Sequence, residues 1–337
     1  MKKYKMFYQA AALVLAAVLA TGMLSSCTVK DSGILMAFDG TDTGKNADIG
    51  IYGTATFADL ITSQVCAVAP ENAKMEDENI SASSALRIDL DTNQMIYAQN
   101  IYERVYPAST TKLMTALLLL KYGNLKDTYT FQEDNGGITT FGAKLCGFHK
   151  GDTVSLEALL NCLLIYSGND AGVAIARYLC GTEESFVIRM NEEAKKIGAT
   201  DTHFVNSHGL HDPDHYTTAY DMYLIMKECV QYEEFVKVIQ KSTYSAGYTD
   251  ASGETKRTNN YQTTNYFLLN TAQPPEGITV LGGKTGSTGS AGNCLVLLSE
   301  DNNHKRMITA VFNVSTWDSL FAQHSYLLGL NLSSIYE

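Results

Sequence analysis

The chain has 337 residues, 45% of them hydrophobic and 18% charged, with a formal net charge of −11. That composition is ample for a well-filled core and leaves room for one large domain or two ordinary ones. It excludes a nucleic-acid binder, which needs a concentrated basic face, because no block of Lys and Arg follows the N-terminus.

Lys2, Lys3 and Lys5 precede an apolar stretch over residues 10–24, which reads as an export signal. The stretch is too short, and too soon followed by polar sequence, for a permanent membrane helix. It ends in Leu24-Ser25-Ser26-Cys27, which resembles the bacterial lipobox. Residues 1–26 are therefore expected to be a lipoprotein signal peptide and Cys27 the lipidated residue. An ordinary secretory signal is the alternative. Residues 27–56, rich in Asp, Gly, Thr, Asn and Lys, read as a flexible tether, and the folded domain is expected over 57–337. Six further cysteines, Cys66, Cys146, Cys162, Cys180, Cys229 and Cys294, have no CxxC pairing and no His at ligand spacing, which argues against zinc. Export permits disulfides, but sequence does not choose among the pairings, and several of these residues read as small buried apolar groups.

Residues 85–90 and 95–98 predict two short strands around a polar turn, a hairpin. Pro107 and a Ser/Thr cluster then start a helix. Its run over 113–120 is too continuously apolar for a surface stripe, so it should be buried nearly all round. Further helices are expected over 155–166, 170–179, 183–197, 218–228 and 232–241. Strands at 278–281 and 293–298 flank a Gly-rich segment, 306–314 is another strand, and 319–330 a closing helix. Strands at both ends with helices between predict an α+β domain whose two ends share one antiparallel sheet flanked by helices.

Three short motifs occur in order: Ser109-Thr110-Thr111-Lys112 (S-x-x-K), Ser167-Gly168-Asn169 (S-x-N) and Lys284-Thr285-Gly286 (K-T-G). Each alone is weak, but their conjunction at predicted element boundaries is a signature of penicillin-binding proteins and class A β-lactamases. The physics agrees with it. Positions i and i+3 share a helix face, so Lys112 stands beside Ser109. A Ser hydroxyl needs a base, and a Lys becomes one only when burial and other cations lower its pKa. The apolar helix supplies the burial, and Lys284 is the expected second cation. The plainer reading, a capping Ser with a solvated first-turn Lys, sits badly with the helix dipole. Ser167 and Asn169 fall on a short interhelical connection, able to face a cleft or simply to cap the next helix. The Gly-rich segment 282–289 lacks the spacer and order of a phosphate loop. Small residues on an edge strand instead let a substrate backbone approach, with Lys284, Thr285 and Thr288 placed for a terminal carboxylate. His208 and His211 could meet on a helix, but Gly209 and Pro213 argue for a loop, so no metal site is expected.

With Tyr106-Pro107-Ala108 before the first motif, Gly151-Asp152-Thr153-Val154, Asn206-Ser207-His208-Gly209-Leu210 and Ala291-Gly292, the chain resembles the serine D-Ala-D-Ala carboxypeptidases, the low-molecular-mass penicillin-binding proteins. The resemblance implies the penicillin-binding/β-lactamase-like, transpeptidase-like fold. It implies Ser109 as nucleophile, Lys112 as base, Ser167 as proton relay and Asn169 holding the substrate amide. Lys284, Thr285, Gly286, Ser287 and Thr288 would form the substrate strand, with the amides of Ser109 and Ser287 as the oxyanion hole. It implies no cofactor, peptidoglycan stem peptides as substrate, β-lactams as covalent inhibitors, and an extracytoplasmic enzyme held to the membrane by lipid or secreted.

Two departures stand out. Many relatives continue into a β-rich domain and a C-terminal amphipathic anchor, whereas this sequence stops one helix after the last core strand. Relatives often carry an Arg near the start of the final helix, and nothing basic follows Arg306 here, so carboxylate binding should lean on Lys284 and Thr288. A class A β-lactamase needs a Glu after S-x-N, and residues 206–216 contain none. A DD-endopeptidase, or a non-catalytic β-lactam- or muropeptide-binding lipoprotein, are the alternatives.

Overall fold

The computed structural model describes residues 77–330. The expectations for the signal, Cys27, the tether and Cys66 lie outside those residues. Strand β1 (Ser84–Asp89) pairs with β2 (Met95–Gln99) on one side and with β11 (Arg306–Val314) on the other. Strands β10 (Gly292–Asp301) and β9 (Ile278–Thr288) complete an antiparallel sheet of order β2-β1-β11-β10-β9. The first and last strands of the described residues thus pair in the middle of one sheet, as the order of elements predicted.

Alternation along the central strands sorts side chains to two cores. Leu86, Ile88, Val296, Leu298, Ile308 and Ala310 face the main helical layer. Ala85, Leu295, Leu297 and Val311 face α7 (Trp317–Gly329), with its Leu320, Phe321, Leu327 and Leu328. Arg87, buried on that second side, donates to the carbonyls of Leu327 and Leu330, a cation on the carbonyl end of the helix.

The helical layer is centred on α1 (Lys112–Tyr122), buried from Lys112 through Leu119 as its continuous apolar run required. Around it lie α3 (Asn169–Cys180), α4 (Glu183–Lys196) and α5 (Ala219–Cys229), while α6 (Glu233–Ile239) packs against β9. The helix expected over 155–166 divides. Ser155 caps α2 (Leu156–Asn161), and Cys162–Tyr166 widens into a π-helical turn that ends at Ser167 in the left-handed region (φ 71°). A π-turn absorbs one extra residue, so Ser167 leaves it rotated from where a regular helix would have put it.

Short strands escaped the sequence pattern. β3 (Thr128–Thr130), β4 (Thr153–Ser155), β6 (Gly247–Thr249) and β7 (Thr255–Arg257) form one small sheet, and β5 (Thr243–Tyr244) pairs with β8 (Tyr261–Gln262). Strands of two or three residues are too short to display a period. Strand β9 extends past the expected 278–281 through the Gly-rich segment as an edge strand, as its small residues suggested, and pairs with β10 on either side of a register shift next to Leu281. A Cβ at Gly283 would lie 2.2 Å from Val296 O, so the missing side chain is what permits the close pairing.

Candidate active site

The floor of the site is the entry to α1. Ala108 takes φ 48°, and a 3-10 turn over Ala108–Thr111 carries Ser109 into the helix. Thr110 and Thr111 donate back to the carbonyls of Pro107 (2.7 Å) and Ala108 (2.8 Å), which locks the turn. Lys112 is fully buried, its Nζ 3.0 Å from Ser109 Oγ, 2.7 Å from Asn169 Oδ1 and 2.5 Å from His208 O. Burial pulls its pKa down to about 7; Asp170 opposes the shift and Lys144 adds to it. Two of the three partners are carbonyl oxygens, which only accept. A neutral amine therefore spends both N–H bonds on them and turns its lone pair to the Ser109 hydroxyl, the one partner able to donate.

One wall begins at the end of the π-turn. Ser167 and Asn169 both line the cavity. Gly168 between them leaves no room for a side chain, since a Cβ would fall 2.2 Å from Cys146 Sγ. The Asp170 carboxylate accepts from the amides of Cys146 and Gly147 at 2.9 Å each, and Asn169 N–H donates to Lys144 O at 2.8 Å. These bonds draw the loop bearing Gly142, Ala143 and Lys144 onto the cavity. Tyr166 stacks on Tyr261 (4.1 Å), and the Lys144 ammonium lies 4.5 Å from the Tyr166 ring centre.

The opposite wall is the end of β9. Thr285, Gly286, Ser287 and Thr288 line the cavity, which measures about 280 Å³. A Cβ on Gly286 would come 2.8 Å from Pro107 O and 2.9 Å from Ser109 N, so the strand rests against the backbone of the nucleophile segment. Thr285 and Thr264 share a hydroxyl–hydroxyl hydrogen bond. Lys284 does not line the cavity. It is 1% exposed, donates to Thr285 O (2.8 Å), and is pushed well below the ordinary lysine range by burial, with Lys112 and Lys144 contributing. Trp317, at the start of α7, closes this end.

The segment 204–216 supports the floor from below. A Cβ on Gly209 (φ 86°) would fall 1.8 Å from Ala108 O, so only glycine fits where this segment meets the Ala108 turn. His215 Nδ1 accepts from Val205 N–H (3.0 Å), which places its proton on Nε2, 2.7 Å from Thr111 Oγ1. Burial lowers both His208 and His215 to about 3, so each is neutral at physiological pH. His211 packs edge-on against Tyr106. Among the described residues no group of three or more His, Cys, Asp or Glu is gathered as metal ligands.

Sequence patterns identified Ser109, Lys112, Ser167, Asn169, Thr285, Gly286, Ser287 and Thr288, and the fold brings them to one cavity, with Lys112 beneath it. They missed the His208 carbonyl, Lys144, Tyr166 and Trp317. A carbonyl carries no residue signature, and the others stand outside any motif.

A sequence profile described as D-alanyl-D-alanine carboxypeptidase matches residues 70–316. The chain belongs to that family. The D-alanyl-D-alanine carboxypeptidase DacF of Bacillus subtilis is 33% identical over 283 residues, covering 82% of this chain and 69% of that protein. DacA of Haemophilus influenzae is 29% identical, covering 74% of this chain and 61% of its own length. Among solved structures, the Streptomyces K15 DD-transpeptidase superposes with a TM-score of 0.69 at 25% identity, covering 74% of this chain and 97% of that one. The D-alanyl-D-alanine carboxypeptidase family thus accounts for the antiparallel sheet with helices on both faces, and the penicillin-binding, transpeptidase-like fold expected from the motifs is the one observed.

Proposed function

We propose that the chain is a serine-type D-Ala-D-Ala carboxypeptidase that removes the terminal D-Ala from peptidoglycan stem peptides through an ester on Ser109. The observation that supports this reading is the seat of Lys112, buried, its Nζ 3.0 Å from Ser109 Oγ and on two carbonyls; in the neutral form, which its lowered pKa of about 7 favours, the electron pair is left for the Ser109 hydroxyl. In the first half-reaction Lys112 takes the hydroxyl proton as Oγ bonds to the carbonyl carbon of the penultimate D-Ala. The amides of Ser109 and Ser287 receive the developing oxyanion. The C–N bond then breaks, and the proton returns from Lys112 by way of Ser167 to the departing D-Ala amine. In the second half-reaction water attacks the ester and Ser109 regains its proton.

The terminal carboxylate is assigned to the hydroxyls of Thr285 and Thr288, with Lys284 buried beneath the strand and holding it through the Thr285 carbonyl. Asn169 keeps its Oδ1 on Lys112 and offers its amide N–H to the substrate. A β-lactam would acylate Ser109 by the same steps and leave slowly. The lipobox-like Leu24-Ser25-Ser26-Cys27 supports residues 1–26 as a signal and Cys27 as a lipid attachment point on the outer face of the cell membrane, with residues 57–337 as the catalytic domain. One lipid chain anchors only weakly.

The test is release of free D-Ala from a peptide ending in D-Ala-D-Ala, for the wild type and for Ser109→Ala. Release abolished by the substitution supports the reading. No release by the wild type, with penicillin still bound covalently at Ser109, would move the assignment to an endopeptidase or a sensor.

A further inference from the structure

We infer that Lys144 is a specificity-determining residue that reads a carboxylate on the donor half of the peptide, the half that stays on Ser109. The inference rests on the carboxypeptidase reading and goes beyond it by naming a chemical preference. Three lysines gather at the site, yet only Lys144 reaches the cavity surface; Lys112 and Lys284 are buried behind it. Among the described residues no Asp or Glu forms an ion pair with the Lys144 ammonium. It lies instead over the face of Tyr166, at 4.5 Å. Burial lowers its pKa, so the site holds this cation at a cost that a ligand anion would relieve.

Its position is defined from both sides. The Lys144 carbonyl is gripped by Asn169 N–H, and the next turn of the loop by Asp170 and by Tyr261, whose hydroxyl donates to Cys146 O at 2.7 Å. The ammonium therefore sits on the wall that carries Ser167 and Asn169, across the cavity from the hydroxyls of β9. If the terminal carboxylate goes to Thr285 and Thr288, the anion left for Lys144 is a different one. A side-chain carboxylate on the residue preceding D-Ala-D-Ala has the right charge and projects from the donor half.

The experiment compares two peptides differing in one group, N-acetyl-L-α-aminoadipyl-D-Ala-D-Ala and its side-chain amide, by D-Ala release. The wild type is expected to favour the carboxylate peptide by about two- to fivefold in kcat/KM, through KM, as for a partly exposed charge pair. Lys144→Gln should bring the ratio to about one, and Lys144→Arg should restore it. Taking a ratio cancels any change in Lys112 basicity common to both substrates. A wild-type ratio near one, or equal losses on both peptides in Lys144→Gln, would overturn the inference, the latter by placing Lys144 on a group the two share. If the wild type released D-Ala from neither peptide, the carboxypeptidase reading would fail. The inference would then be decided by the acylation rates of benzylpenicillin and its α-carboxy derivative, which need no turnover. A preference for the second that Lys144→Gln removes supports it, and its absence overturns it.

Discussion

The floor and the S-x-N wall of the cavity are built by different means. The floor is a helix entry buried in the main core, where Lys112 has polar partners on three sides and the turn is pinned by the hydroxyls of Thr110 and Thr111. The wall ends in a loop with no regular structure, drawn in by the Asp170 carboxylate, the Asn169 amide and the Tyr261 hydroxyl. Each task sits in the setting that suits it. Proton transfer needs a fixed distance and a fixed pKa, which only a rigid, dry setting supplies. Selecting among substrates needs a group that can be exchanged without disturbing that setting, and a loop allows it.

The sharpest break of this contrast is at the floor. Ser109→Ala is expected to abolish both D-Ala release and covalent penicillin labelling, with an unchanged circular dichroism spectrum. Lys112→Ala should fold normally yet acylate about a thousandfold more slowly or worse, read by a fluorescent penicillin. Full labelling of that variant would remove Lys112 from the mechanism.

Gly209→Ala comes next. Its Cβ would collide with Ala108 O at a backbone angle that side chains avoid, so thermal unfolding should show a loss of roughly 2–4 kcal/mol. Acylation should slow as the turn bearing Ser109 shifts. Asp170→Asn acts on the wall and should be milder. One amide side chain cannot accept from both Cys146 and Gly147 as a carboxylate does, and KM for a D-Ala-D-Ala peptide should rise by about tenfold with a smaller change in kcat.

The smallest effects are in pH dependence, and they run in opposite directions. A base must be unprotonated, so kcat/KM should increase as pH rises through about 7, where Lys112 loses its proton. Asp170 holds that pKa up and Lys144 holds it down. The midpoint should therefore move to lower pH in Asp170→Asn and to higher pH in Lys144→Gln. Shifts of the same sign would mean that the two groups do not act on Lys112 through their charges.

Much of this was legible in the chain itself. The continuous apolar run after Lys112 can only be an enveloped helix. The hairpin at one end and the strands at the other have to find partners, and i, i+3 spacing puts Lys112 beside Ser109 before any fold is known. Those features are local, set by period, propensity and short spacing. What the tertiary structure decided is non-local. It brings the His208 carbonyl under Lys112, Gly209 against Ala108 and the Gly286 backbone against Ser109. It keeps β9 extended through Gly282, Gly283 and Gly286 because β10 supplies its pairing, and it places Lys284 behind the cavity and Lys144 at its surface. A backbone carbonyl has no letter of its own and a loop lysine has no period. Each acquires a role only when a distant part of the chain closes against it.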